Sequence, residues 1–143
     1  MASVFVSAII PASVEEVWAV IRDFDDLPQW HPAIATSAIE EGRSGDAVGC
    51  VRHFTLTDGA ALREQLVGLS DEEHRIAYRM LDSPMPLWDY LAELRLEPVT
   101  IGGQTFAAWQ AQFAVGPDDE VAVVGTVRGV FEGGLRSLEQ RFR

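Results

Sequence analysis

The chain has one cysteine, few basic side chains and no long apolar run, and each shortage removes a class of function. A single thiol, Cys50, permits neither an internal disulfide nor a thiolate metal cluster. Basic side chains number 11 against 22 acidic ones, a formal charge of −11. Such a surface repels phosphate backbones and anionic lipid, so neither nucleic acid nor a membrane surface is an expected partner. No apolar segment reaches the roughly 20 residues of a membrane span, so stable membrane insertion is not expected. Met1 to Phe5 lacks the charge and the apolar run of a secretory signal, which predicts a cytoplasmic protein. Missing too are a glycine-rich phosphate loop, a Gly-x-Ser-x-Gly elbow and a His-Glu-x-x-His pair. His31, His53 and His74 show no metal-ligand spacing, so neither a metal nor a cofactor is expected.

What remains is apolar and evenly spread. At 143 residues and 48% hydrophobic, the chain predicts one domain, 1–143, with a core that needs no staples. Val4 to Ile10 is β-branched and stopped by Pro11, which predicts a strand. Ser13 and Glu16 form a capping-box pattern ahead of Val14, Val17, Trp18 and Ile21, the stripe of a short helix. A second helical turn begins at Leu27-Pro28 and ends at Trp30-His31-Pro32. From residue 34 the period changes to two, with strands predicted over 34–40, 48–57, 61–69, 75–81, 88–97 and 105–115. Asp58-Gly59 is the tightest turn signal between them. Consecutive strands with short turns read as an antiparallel meander.

The last stretch, Asp118 to Arg143, predicts a long helix. Val121, Val124, Val127, Phe131, Leu135, Leu138 and Phe142 recur every three or four residues. Acidic residues open it and arginines close it, as the helix dipole favours. Gly125, Gly129 and Gly133 fall on the opposite side, while Thr126, Val130 and Gly134 form an edge expected to face a cavity. Gly134, without a side chain, would leave room there.

Alternation assigns the strand faces. Cys50, Arg52, Phe54 and Leu56 share one face, and Leu62, Glu64 and Leu66 share another on the next strand. Tyr78 with Met80, Tyr90 with Ala92 and Leu94, and Trp109 with Ala111 and Phe113 complete an inward, mainly apolar surface. Arg52 and Glu64 each lie about six residues from the Asp58-Gly59 turn, which makes them neighbours across the ladder. They are either a structural ion pair at a cavity mouth or a polar anchor for a ligand. Cys50 reads as a small inward hydrophobe. The three histidines read as solvated or locally hydrogen-bonded side chains. Met85 and Trp88 flank the Pro84–Pro86 loop, where they cover the end of the barrel or form a lid or dimer contact.

Pro11-Ala12-Ser13 with Val17-Trp18, Val48-Gly49-Cys50-x-Arg52 with Asp58-Gly59 and Glu64-x-Leu66, and Asp89-Tyr90 with Trp109 together resemble the START-like helix-grip (SRPBCC) superfamily. The resemblance covers nearly the whole chain and is nearest to the bacterial polyketide cyclase/dehydrase group. It implies an α+β helix-grip fold: a strand, two short helices, six strands, and a curved antiparallel sheet of about seven strands wrapped around the long C-terminal helix. It also implies a hydrophobic cavity between sheet and helix, lined by Arg52, Phe54, Glu64, Tyr78, Tyr90 and Trp109. The plant hormone receptors of the superfamily differ at two points. The position matching their pocket lysine is Ala35, and their longer gate loop is reduced to Asp58-Gly59, so hormone sensing through a partner phosphatase is not implied.

Two functions follow as expectations. The first is binding of a small hydrophobic, lipid- or polyketide-like molecule by a monomer or homodimer, with Phe54, Leu66, Tyr78, Met80, Trp109, Val130 and Gly134 as ligand contacts. The alternative is a cofactor-free cyclase, dehydratase or lyase, with Glu64 as acid or base and Arg52 and Tyr90 orienting the substrate. A Glu64 that faces outward or is locked in a buried pair would remove that alternative.

Overall fold

The period-two pattern forms one sheet and the period-3.6 pattern lies across it. The computed structural model describes all of residues 1–143. In order come β1 (Ala2–Ile10), α1 (Val14–Ile21), α2 (Leu27–Trp30), β2 (Ile34–Ile39), a 3-10 turn (Glu40–Gly42) and β3 (Val51–Leu56). β4 (Ala61–Ser70), β5 (Arg75–Asp82), β6 (Leu87–Pro98), β7 (Thr105–Val115) and α3 (Glu120–Arg141) follow. The sheet runs β1-β7-β6-β5-β4-β3-β2, and every neighbouring pair is antiparallel. β2 to β7 are the expected meander. β1 then joins β7, from Ala2 opposite Phe113 to Ile10 opposite Thr105. With α3 laid over the inward face, this is the helix-grip α+β arrangement.

Local chemistry accounts for the helix starts. Ser13 caps α1, its hydroxyl accepting the Glu16 amide at 3.3 Å, and Val14, Val17, Trp18 and Ile21 are all buried. Pro28 sits in the first turn of α2, where its missing N–H costs nothing. β3 starts three residues later than the pattern suggested, because Gly49 takes φ +95° and redirects the chain before the ladder begins. Its amide still reaches the Leu66 carbonyl of β4 at 2.8 Å.

The α3 stripe needs one correction. Val121 is 88% exposed and Val124 half-buried, whereas Val123 is 4% exposed. The buried face is Val123, Val127, Phe131, Gly134, Leu135 and Leu138. Because the helix begins at Glu120, Val121 lies in its first turn and points to solvent. Gly125 and Gly129 are exposed, with open space where a Cβ would stand. No helix is long and apolar enough to cross a membrane.

Candidate functional site

Sheet curvature leaves a cavity of about 160 Å³ between the inward face and α3. Its floor is built by strand alternation: Arg52, Phe54 and Leu56 from β3, Leu62 and Glu64 from β4, Tyr78 and Met80 from β5, Tyr90 from β6 and Trp109 from β7. α3 supplies the roof with Thr126, Val127, Val130 and Phe131. Asp58 and Ala60 from the β3–β4 turn and Ser83, Pro84 and Met85 from the β5–β6 loop complete the lining, with Asp58 and Pro84 exposed at its mouth. Trp88, the other apolar residue near that loop, is 56% exposed and lies outside the lining.

Of the ligand contacts read from the sequence, Phe54, Tyr78, Met80, Trp109 and Val130 surround this cavity, together with Arg52, Glu64 and Tyr90. Leu66 and Gly134 do not. Leu66 is fully enclosed in the packed core beyond Glu64 on β4. Gly134 leaves no free room, because rings already occupy it. A Cβ there would lie 2.7 Å from Trp109 Cζ3, 2.8 Å from His31 Cδ2 and 3.1 Å from Trp30 Cζ3.

Arg52 and Glu64 pair directly across β3 and β4. Arg52 donates to Glu64 Oε1 from Nε at 3.0 Å and from Nη2 at 2.7 Å, and from Nη1 to the Phe24 carbonyl at 3.0 Å. The guanidinium carbon also lies 3.7 Å from the centroid of Phe24 and 4.8 Å from that of Tyr78, a stacking suited to its weak hydration. Both bonds from Arg52 fall on Oε1, and Glu64 Oε2 accepts none from the protein. Glu64 Oε2 is not among the fully enclosed polar atoms, so it meets open space in the cavity. Burial pushes the Glu64 carboxyl above the usual carboxylate range, and the Arg52 charge and hydrogen bonds pull it back down.

The aromatic wall is a connected set. Trp109 stacks on Phe131 of α3, centroids 4.5 Å apart, and donates its indole N–H to the Tyr78 hydroxyl at 2.9 Å. Tyr90 follows, its ring 6.4 Å from that of Tyr78, and burial raises the pKa of both phenols. These tyrosines remain protonated at any physiological pH.

His31 meets one alternative of the sequence reading and adds burial that the sequence did not show. It is locally hydrogen-bonded but not solvated: its exposure is 1%, and it lines the cavity. Nδ1 accepts the Ala33 amide at 3.1 Å, so Nε2 carries the proton and donates to the Val130 carbonyl of α3 at 2.7 Å. Burial lowers its pKa, which favours this neutral form. Nothing local marks it, since the Val130 partner lies 99 residues away. His53 is exposed, as its outward position on β3 requires. His74 is half-buried at φ 56° and edge-on to Trp18, centroids 5.6 Å apart. Cys50 is fully enclosed, and burial raises its thiol pKa. Ala35 is exposed at an irregularity of β2, and its neighbour Ile34 is the residue that faces the cavity. No three histidine, cysteine or carboxylate side chains converge as a metal site would require.

Known proteins share both the fold and the sequence pattern. XoxI of Bacillus cereus superimposes with a TM-score of 0.90 at 30% identity, over 99% of this chain and 96% of that one. A Nitrosospira multiformis protein superimposes with a TM-score of 0.88 at 30% identity, over 99% and 97% of the two chains. Abscisic acid receptor PYL7 of Arabidopsis thaliana is 28% identical over 110 residues, 74% of this chain and 50% of that protein. Abscisic acid receptor PYL10 is 30% identical over 99 residues, 67% of this chain and 53% of that protein. The chain thus spans about half the length of these curated relatives. The profile of the family described as "Polyketide cyclase / dehydrase and lipid transport" matches residues 1–143. With that match over its whole length and a cavity held between a seven-stranded sheet and its last helix, the chain belongs to the polyketide cyclase/dehydrase and lipid transport family.

Proposed function

We propose that the cavity binds one small hydrophobic molecule, lipid- or polyketide-like in having an apolar body and an oxygen-bearing end. One observation carries this reading: an apolar space of about 160 Å³ whose two buried charges neutralise each other. Apolar cavities of roughly 150 Å³ hold a single benzene-sized ring. A diacyl lipid or a four-ring polyketide does not fit that volume. That the Arabidopsis relatives are abscisic acid receptors supports the general mode and not the ligand.

The alternative, a cyclase, dehydratase or lyase using Glu64, draws on the raised carboxyl pKa and the open Oε2. The pair weighs against it. A carboxylate whose other oxygen holds two guanidinium N–H bonds gives up charge-assisted bonds whenever it takes a proton. Binding is therefore the better account of this geometry.

Native mass spectrometry of the purified protein, before and after organic extraction, tests the proposal. The expected result is an adduct of about 100–200 Da, the mass of a one-ring molecule, removed by extraction. Absence of any adduct, together with no thermal shift from small aromatic probes, would overturn it.

A further inference from the structure

We infer that the occupant is an uncharged one-ring molecule that donates a hydrogen bond to Glu64, a phenol or a ring-bearing alcohol, and that the cavity rejects carboxylates. The inference rests on the binding reading of the same cavity and adds the polarity of its ligand.

Every basic side chain here is an arginine, since all 11 are accounted for without a lysine. Only Arg52 lines the cavity. Its charge is already matched by Glu64, with two bonds to Oε1 and a third to the Phe24 carbonyl. A carboxylate ligand would place a second negative charge beside Glu64 with one guanidinium to share. In a site shielded from water that arrangement is strongly unfavourable. Asp58 at the mouth and the net charge of −11 oppose anion entry as well.

The charged group left with unused hydrogen-bonding capacity has the opposite sense. The His31 N–H is given to Val130 and the Trp109 N–H to Tyr78, and the Tyr78 and Tyr90 hydroxyls that remain are neutral donors, which offset none of the charge on a bound anion. Glu64 Oε2 is an acceptor facing open space with no donor. A ligand hydroxyl placed there forms a charge-assisted bond out of water, worth about tenfold or more in affinity. Around that point stand Phe54, Tyr78, Tyr90, Trp109 and Phe131, the faces an aromatic or cyclic body packs against.

Titration of the full chain at pH 7 with benzyl alcohol, toluene and benzoate, followed through the Trp109 indole N–H resonance, tests this. Benzyl alcohol is expected to bind at least about tenfold tighter than either of the others. Arg52→Met with Glu64→Met removes both charges together, so the fold is expected to be retained, which a thermal melt of the variant checks. In that variant the advantage of benzyl alcohol over toluene is expected to vanish while toluene still binds. Benzoate binding as tightly as benzyl alcohol would overturn the inference and leave the binding reading standing. Equal binding of benzyl alcohol and toluene by the unaltered chain would overturn the role of Glu64. No response to any of the three would overturn both the inference and the binding reading.

Discussion

Arg52 and Glu64 stand opposite each other on adjacent strands, Nη2 2.7 Å from Oε1, at 5% and 4% exposure. Losing one partner leaves the other charge buried and unmatched. Arg52→Met or Glu64→Met alone is expected to cost about 3–5 kcal/mol. The double change Arg52→Met/Glu64→Met is expected to lie close to the parent in stability, because the two desolvation costs disappear together. Urea denaturation of the three variants gives the coupling energy; additive losses would contradict the pairing.

The glycines of α3 divide by what surrounds them. At Gly125 and Gly129 a Cβ meets nothing within 4 Å, so alanine is expected to stabilise the helix by up to about 1 kcal/mol at each. At Gly134 a Cβ would press on Trp109 and His31 at 2.7 and 2.8 Å, and alanine is expected to destabilise by about 1–3 kcal/mol. Thermal melts of the three single variants check this, and the opposite signs are the decisive feature.

His31 couples stability to pH. Its folded pKa lies below the ordinary value because burial disfavours the imidazolium. The unfolded chain therefore binds a proton that the folded chain refuses, in the window from about pH 6.5 down to the folded pKa. The contribution is fully present above that window and is lost as pH falls through it, at no more than about 1.4 kcal/mol per pH unit. Arg52 is the charged group whose field disfavours the proton further. Denaturation of the parent and of His31→Gln between pH 5 and 8 should show a shallower acid loss in the variant; parallel curves would refute the assignment.

Much of this was legible in the chain because strands write their faces at a period of two. Counting from Asp58-Gly59 placed Arg52 against Glu64, and alternation put Phe54, Tyr78, Tyr90 and Trp109 on one surface. Helix placement was less secure: a stripe read from Val121 is off by two residues at its start, because periodicity does not mark where the first turn begins. The burial of His31 and the lack of room at Gly134 escape the sequence for one shared reason. A turn residue and a helix residue become a fitted pair only when α3 docks beside Trp30 and Trp109, and that contact has no local signature. Leu66 shows the limit of alternation, which separates inward from outward but not packed core from open cavity.

The space beneath α3 is the centre of the account, and plugging it is the most direct measurement. Val130 lines the roof and is half-buried, so Val130→Phe is expected to project a ring into the cavity while leaving both members of the Arg52–Glu64 pair in place. Benzyl alcohol affinity is measured by calorimetric titration for the parent, for Val130→Phe and for Gly129→Ala as an exposed control. The account predicts at least about a tenfold loss in Val130→Phe, with no loss in the control and a Tm at or above the parent's, since the added ring fills empty volume. Unchanged affinity in a folded Val130→Phe would contradict it.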